Sequence, residues 1–397
     1  MTVSRSKMRQ PAYSYTTLRD SVATVLKVFE TAGYEPISLP IIQPADLFLD
    51  TVGESLRSST YVFDDHYGHE LCLRPDLTVP TCRYYLDTQA DAGRRVRYAY
   101  YGPVFRFRQD GVGLGQPDEI RQTGIECFGE KDKASADAEV LRLTLDALRA
   151  AGLKRFDVTI GDIGIFRALL AGIDMPARWR SQLQHLFFEA AAFDGYVRSL
   201  HAPGAARATH LPDSLKASLQ EKTGDAAEAA LSAHLAASAI THVGTRGLDE
   251  ITGRILDQLE DAAREPLAVR HAGLIDAYLK VRDVSPPADA PSRIAALARL
   301  HGVAVDEALD AYAQRLRMFA KTGVDMSETT FSTAIGRNFE YYTGFVFEVA
   351  TTVEAQRVIV ASGGRYDGLI GAIDGTRATP AVGAAIYIDR LLAAIRG

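Results

Sequence analysis

The sequence predicts an α+β chain in which one mixed core is interrupted by a mainly helical insertion. Three observations carry this reading. Strand-like and helix-like stretches alternate through residues 1–163. From about Gly164 to Gly323 the chain turns alanine-rich with helical spacing. Strand character then returns at Phe345–Ala350 and Val358–Ala361, so residues 324–397 complete the core.

Each element follows from its local pattern. Residues 16–32 place apolar side chains at helical spacing, with Thr16 or Thr17 as N-cap and Gly33 ending the helix. Tyr34–Ile42 reads as a strand broken by Pro36 and Pro40, which suits an edge or an interface. Tyr61–Asp64 and His69–Leu73 form a hairpin around His66-Tyr67-Gly68. Arg97–Phe107 is aromatic and β-prone, and Arg121–Phe128 is a second strand after a glycine-rich stretch. Ser135–Ala151 is an amphipathic helix and Asp157–Ile160 a strand. Pro286-Pro287 and Pro291 mark a loop inside the helical region. Ser362-Gly363-Gly364 reads as a glycine-rich turn, and Ala384–Ile395 as the last helix.

Composition excludes several classes. A chain of 397 residues, 47 % hydrophobic and 24 % charged, can bury a sizeable core without staples. Its 44 basic against 50 acidic residues leave a net charge of −6, which argues against a general nucleic-acid binder. Cys72, Cys82 and Cys127 form no close pair of the zinc-site kind, and His66 and His69 carry no metal-ligand pattern. No metal or cofactor is expected. An odd, small number of cysteines fits a reducing cytoplasm. The N-terminal stretch has no apolar run after its basic residues, so no secretory signal is expected. No stretch approaches the roughly 18–20 apolar residues that span a bilayer.

Four segments carry the chemistry. They are Leu73-Arg74-Pro75-Asp76-Leu77-Thr78-Val79-Pro80; Gly102–Arg108 followed by Arg121–Glu126; Ile335–Gly344, which contains Arg337-Asn338-Phe339-Glu340-Tyr341-Tyr342; and Gly363–Gly368 followed by Thr379–Gly383 and Asp389-Arg390. In order and spacing they resemble histidyl-tRNA synthetase over roughly residues 15–160 and 325–395. Gly33–Ile42 resembles motif 1, Gly102–Phe107 motif 2, Arg337–Tyr342 the histidine signature, and Pro380–Leu391 motif 3. The resemblance implies a class II aminoacyl-tRNA synthetase-like core. Such a core has a mostly antiparallel sheet of about six or seven strands, flanked by helices and dimerising through motif 1.

The resemblance also implies a site for free L-histidine. Asp76, Thr78 and Gln122 match positions that hold the ammonium; Glu126 and Tyr342 match partners of the imidazole. Arg337 matches the arginine beside the carboxylate. Tyr341 and Tyr366 line the same cavity, Arg106 borders it, and Gly363 and Gly364 permit close backbone approach. Physical chemistry agrees: an ammonium wants carboxylate and amide acceptors, and both ring nitrogens of an imidazole need partners. Glu126 lies four residues after Gln122 on a strand, so both side chains share a face. Taken singly, Asp76 also reads as a cap and Gly363–Gly368 as a tight turn.

The nucleotide side departs from the synthetase pattern. Arg106 and Arg390 match its ATP-site arginines. Arg108, however, replaces a carboxylate, Tyr387 replaces a glycine, and Asp389 and Asp76 each replace a glutamate. The loop Gln109–Ile120 lacks basic residues for phosphates or a tRNA end, and no anticodon-binding domain is expected after motif 3. This pattern is most similar to the synthetase paralogues that serve as regulatory subunits of ATP phosphoribosyltransferase. That resemblance implies no catalysis in this chain, a short-form catalytic subunit as partner in a hetero-oligomer, and L-histidine as feedback effector. A truncated histidyl-tRNA synthetase and a tRNA-sensing pseudo-synthetase domain stay open as alternatives.

Overall fold

A computed structural model describes residues 13–49, 57–89, 94–107, 118–202, 211–219, 222–238, 247–336, 341–375 and 379–396. They fall into two compact units, Met1–Asp174 with Asp276–Gly397, and Met175–Ile275.

The larger unit is built on an eight-stranded sheet. Its strands are β1 (Glu35–Ile37), β5 (Val96–Phe105), β6 (Glu119–Phe128), β7 (Asp157–Asp162), β8 (Thr329–Phe331), β9 (Phe345–Val353), β10 (Gln356–Arg365) and β11 (Ala381–Tyr387). The order is β1-β5-β6-β11-β10-β9-β7-β8. The five central pairings are antiparallel, and the pairings that add β1 and β8 at the margins are parallel. The sheet is therefore mostly antiparallel, as expected, but has eight strands. Pro36 sits on edge strand β1, where a missing N–H costs no ladder bond. A separate three-stranded sheet contains β2 (Ile42–Pro44), β3 (Tyr61–Asp64) and β4 (Glu70–Leu73). Its hairpin turn is closed by Asp65, whose carboxylate accepts the backbone N–H groups of Tyr67 and His69 at 2.7 and 3.0 Å.

Helices cover the sheet. Helix α1 (Tyr15–Thr31) buries Val22, Val25 and Phe29 at helical spacing. Its N-cap is Ser14 rather than Thr16 or Thr17, since the Ser14 hydroxyl accepts the Thr17 N–H. Helix α2 (Thr78–Thr88) follows β4. Helix α3 (Lys133–Ala150) buries a row of Ala and Leu and packs against α1, β11 and α4 (Asp306–Lys321). Helix α5 (Ile388–Arg396) follows β11 directly.

Two local readings are corrected. Ser362-Gly363-Gly364 is the end of β10, not a turn, because β9 and β11 pair with it on both sides. The last helix begins at Ile388 because Ala381–Tyr387 is a strand between β6 and β10. The helical stretch 164–323 is also not one body. Helix Ile163–Ala171 and α4 group with the larger unit, where Phe166, Leu169 and Phe319 are buried.

The smaller unit, Met175–Ile275, is helical over its described residues. Leu215, Leu219, Ala227 and Leu231 form its apolar centre. Arg178 and the Trp179 indole N–H both bond Asp261, at 2.7 and 2.6 Å, which fastens the first helix of this unit to Leu248–Ala263.

Candidate functional site

The sheet register assembles the site. Directly paired positions form the row Tyr98–Glu126–Gly383–Gly364 across β5, β6, β11 and β10, and beside it the row Tyr100–Gly124–Ala385–Ser362. Gln122 pairs with Tyr387. Paired residues in a ladder point to the same face, so large polar side chains on β5 and β6 look onto small ones on β11 and β10. The hollow left by those small residues is the cavity.

Its far wall comes from α2 and the segment before it. Arg74 is buried, and burial pulls its guanidinium down to about 10. It donates to Pro103 O at 2.8 Å and Leu39 O at 2.5 Å, pinning the chain between β4 and α2 to β5. Asp76 then serves twice. One oxygen accepts the Val79 N–H in the first turn of α2 at 3.2 Å, and the other accepts the Tyr341 hydroxyl at 3.3 Å. The same residue lines the cavity.

Glu126 lies at the base. Thr78 and Tyr100 donate to Oε1 at 2.8 and 3.0 Å, and the Tyr366 hydroxyl donates to Oε2. The side chain is 1 % exposed. Burial pushes its carboxyl from an ordinary 4.5 up to about 8, against the opposing pull of the hydroxyls of Tyr366, Thr78 and Tyr100. Burial likewise lifts Asp76 to about 6, and the positive charge of Arg106 opposes this. Arg106 itself donates to Pro75 O at 2.8 Å. Two glycines make room. A Cβ on Gly383 would stand 1.5 Å from Glu126 Oε2, and one on Gly364 would stand 2.9 Å from the Tyr342 ring.

The cavity is narrow, with about 20 Å³ of free room, enough for roughly one water. Asp76, Thr78, Arg106, Gln122, Tyr341, Tyr342 and Tyr366 all line it, together with Ser362, Gly383 and Tyr387. Tyr341 stands edge-on to both Tyr342 and Tyr366, at 5.1 and 5.8 Å between centroids. A buried acid on the wall of a tyrosine-lined cavity, Asp76, with the Glu126 carboxyl bonded behind Thr78 and Tyr366, suits a small ligand that carries an ammonium and planar, N–H-bearing atoms.

Of the positions expected to keep ATP-site arginines, Arg106 lines the cavity and Arg390 lies against Tyr387. The Tyr387 hydroxyl shares a hydrogen bond with Ser362 Oγ at 2.9 Å, and the Arg390 guanidinium lies 4.4 Å from the Tyr387 ring. Arg390 also donates to Ile359 O at 3.0 Å. Asp389 faces away from this chemistry and pairs with Arg121 at 2.9 Å. Arg108, Arg337 and the signature residues Asn338–Glu340 lie outside the described residues.

Sequence reasoning missed Tyr100, Ser362 and Gly383 as parts of the site. Alternation in Tyr98–Tyr101 places Tyr98 and Tyr100 on one face, but only the pairing of β5 with β6 aims Tyr100 at Glu126. Gly383 carried a motif signal, and its partner Glu126 lies on another strand.

Comparison with known proteins agrees with this architecture. The histidyl-tRNA synthetase family profile matches residues 13–252 and 288–391. ATP phosphoribosyltransferase regulatory subunits of Brucella canis and Brucella suis are each 32 % identical over 366 residues, covering 90 % of this chain and 93 % of theirs. Among solved structures, an ATP phosphoribosyltransferase regulatory subunit/histidyl-tRNA synthetase from Bacillus halodurans superposes with a TM-score of 0.64 at 22 % identity, covering all of this chain and 85 % of the other. A histidyl-tRNA synthetase from Nostoc gives 0.61 at 18 % identity, over 98 % of this chain and 74 % of the other. At those identities the structures speak for the class II synthetase-like fold, and the Brucella relatives speak for the branch within it. The chain belongs to the histidyl-tRNA synthetase-like family of ATP phosphoribosyltransferase regulatory subunits.

Proposed function

We propose that the tyrosine-walled cavity binds free L-histidine, and that its occupancy lowers the activity of a separate catalytic chain. The chain is a regulatory, non-catalytic subunit of ATP phosphoribosyltransferase in histidine biosynthesis, the role of its family, and its partner is the catalytic subunit of that enzyme. One observation carries the ligand reading: buried Asp76 lines the cavity, and buried Glu126 is bonded directly to Thr78 and Tyr366, which line it too. Asp76 with Thr78 and Gln122 suits an α-ammonium, and Glu126 with Tyr342 and Tyr366 suits an imidazole. The bulk of Tyr387, bonded to Ser362 and held against Arg390, supports a free amino acid over an adenylate.

The partner in this proposal is a short-form catalytic subunit in a cytoplasmic hetero-oligomer. Self-association in this proposal runs through motif 1, where Ile41 and Ile42 are exposed. Among the described residues no helix is long and apolar enough to cross a membrane.

The test is a thermal-shift titration followed by calorimetry. L-Histidine raises the melting temperature with concentration, because a ligand bound only by the folded state stabilises it, by about 2.7 kcal/mol at a hundredfold excess over Kd. L-Alanine and D-histidine leave it unchanged. Absence of heat with millimolar L-histidine sinks the ligand reading. Histidine-dependent pyrophosphate exchange above background restores the synthetase alternative.

A further inference from the structure

Behind the cavity lies a buried ion cluster that the site as described does not use. Asp137 on α3 is fully buried and holds two guanidinium groups at once. Its Oδ1 accepts Arg365 Nε and Nη2 at 2.9 and 2.6 Å, and its Oδ2 accepts Arg315 Nε at 2.7 Å. Arg315, on α4, also reaches Asp162 Oδ2 at 2.5 Å, at the end of β7. Arg365 reaches Asp367 Oδ1 at 2.8 Å, and Lys133 closes the cluster on Asp367 at 2.7 Å.

The cluster grips the backbone that carries the ligand side chains. Arg365 immediately precedes Tyr366. Its carbonyl accepts the Thr343 N–H at 2.7 Å, one residue after Tyr342. The Asp367 N–H donates to Thr343 Oγ1 at 3.0 Å, and Asp367 Oδ1 accepts the Ala381 N–H at 3.0 Å, two residues before Gly383. Tyr366 N–H donates to Ala381 O at 2.8 Å. The segments bearing Tyr341-Tyr342, Tyr366 and Gly383 are therefore tied at one point, and that point is held by Arg365 through Asp137. A buried ion cluster is weak evidence for stability, because apolar residues of similar volume often serve as well. What it does supply is fixed direction: a planar fork binds in one orientation.

We propose that Arg315 is a positioning residue for the ligand cavity, acting through Asp137 and Arg365 on Tyr366, and so on the hydroxyl that Tyr366 donates to Glu126. This rests on the reading that the cavity takes L-histidine. It assigns α4, far from the site in sequence, a part in ligand affinity.

A double-mutant cycle on the full chain tests it, with L-histidine binding measured by calorimetry. Arg315→Lys keeps the charge and loses the fork; Tyr366→Phe removes the hydroxyl. Arg315→Lys weakens binding about 10-fold, equivalent to about 1.4 kcal/mol. In the Tyr366→Phe background the same change costs less by a factor of at least about three, as for residues in one network. A merely structural Arg315 gives equal losses in both backgrounds, and that result overturns the proposal, as does wild-type affinity in Arg315→Lys. Asp137→Asn, which keeps the shape and removes the shared charge, replaces Arg315→Lys in the cycle where the lysine variant does not fold. Wild-type protein that binds no histidine overturns the ligand reading and this inference with it, whereas an additive cycle overturns this inference alone.

Discussion

Glu126 is an acid placed where water cannot solvate its charge. In the folded chain it keeps its proton up to about pH 8, but in the unfolded chain it loses it near 4.5. Between those values the folded state binds more protons than the unfolded one. Its contribution is thus fully present below about pH 4.5 and is lost as pH rises through about 8, by up to about 1.4 kcal/mol per pH unit. Asp76, lifted from 3.8 to about 6, acts with the same sign over a lower window. Glu126→Gln therefore flattens the fall in ligand-free stability between pH 5 and 8 and stabilises the protein at pH 8. Urea denaturation at several pH values measures this. Parallel curves for variant and wild type contradict the buried-acid assignment.

At the scale of elements, the site depends on how closely β6, β11 and β10 meet at glycines. A Cβ at position 383 would stand 1.5 Å from Glu126 Oε2 and 2.7 Å from Ile125 O, so both side chain and strand must give way. Gly383→Ala is expected to fold with a loss of about 1–3 kcal/mol, the range for overpacking. L-Histidine binding is expected to fall below detection, because the group displaced is the carboxyl proposed to meet the imidazole. Calorimetry beside thermal melts checks both halves. Retained binding at wild-type affinity excludes Glu126 as the imidazole partner.

For the whole molecule, regulation requires that histidine favour one state of the assembly over another, and a ligand shifts an equilibrium only by its differential affinity. Coupling free energies are typically about 1–3 kcal/mol, or roughly 5–150-fold in affinity. A reconstituted complex of this chain with its catalytic partner is expected to lose activity as L-histidine is added. Glu126→Ala is expected to move half-inhibition to at least several-fold higher histidine, since a lost partner leaves buried groups unpaired at a cost of roughly 1–3 kcal/mol. Inhibition of the variant complex at the wild-type concentration places the feedback site elsewhere.

Much of the site could be read from the sequence because its residues sit in contiguous motifs. Arg74–Thr78 supplies one wall, and a spacing of four on a strand puts Gln122 and Glu126 on one face whatever surrounds them. Local rules failed where the deciding neighbour was remote. Ser362-Gly363-Gly364 has turn composition, but it is strand because β11 and the Tyr342 ring press against it from elsewhere in the chain. Arg315 lies in an amphipathic helix, where an arginine reads as solvated surface; its two carboxylates lie 178 and 153 residues away. Tyr100 belongs to the site only because β5 pairs with β6 in one register, and a slip of one residue would turn it to the opposite face. Chemistry carried within a motif is local, so the sequence alone determined which groups could meet an amino acid. Which side chains face one another is set by strand order and register, which join distant segments, and only the tertiary structure decided that.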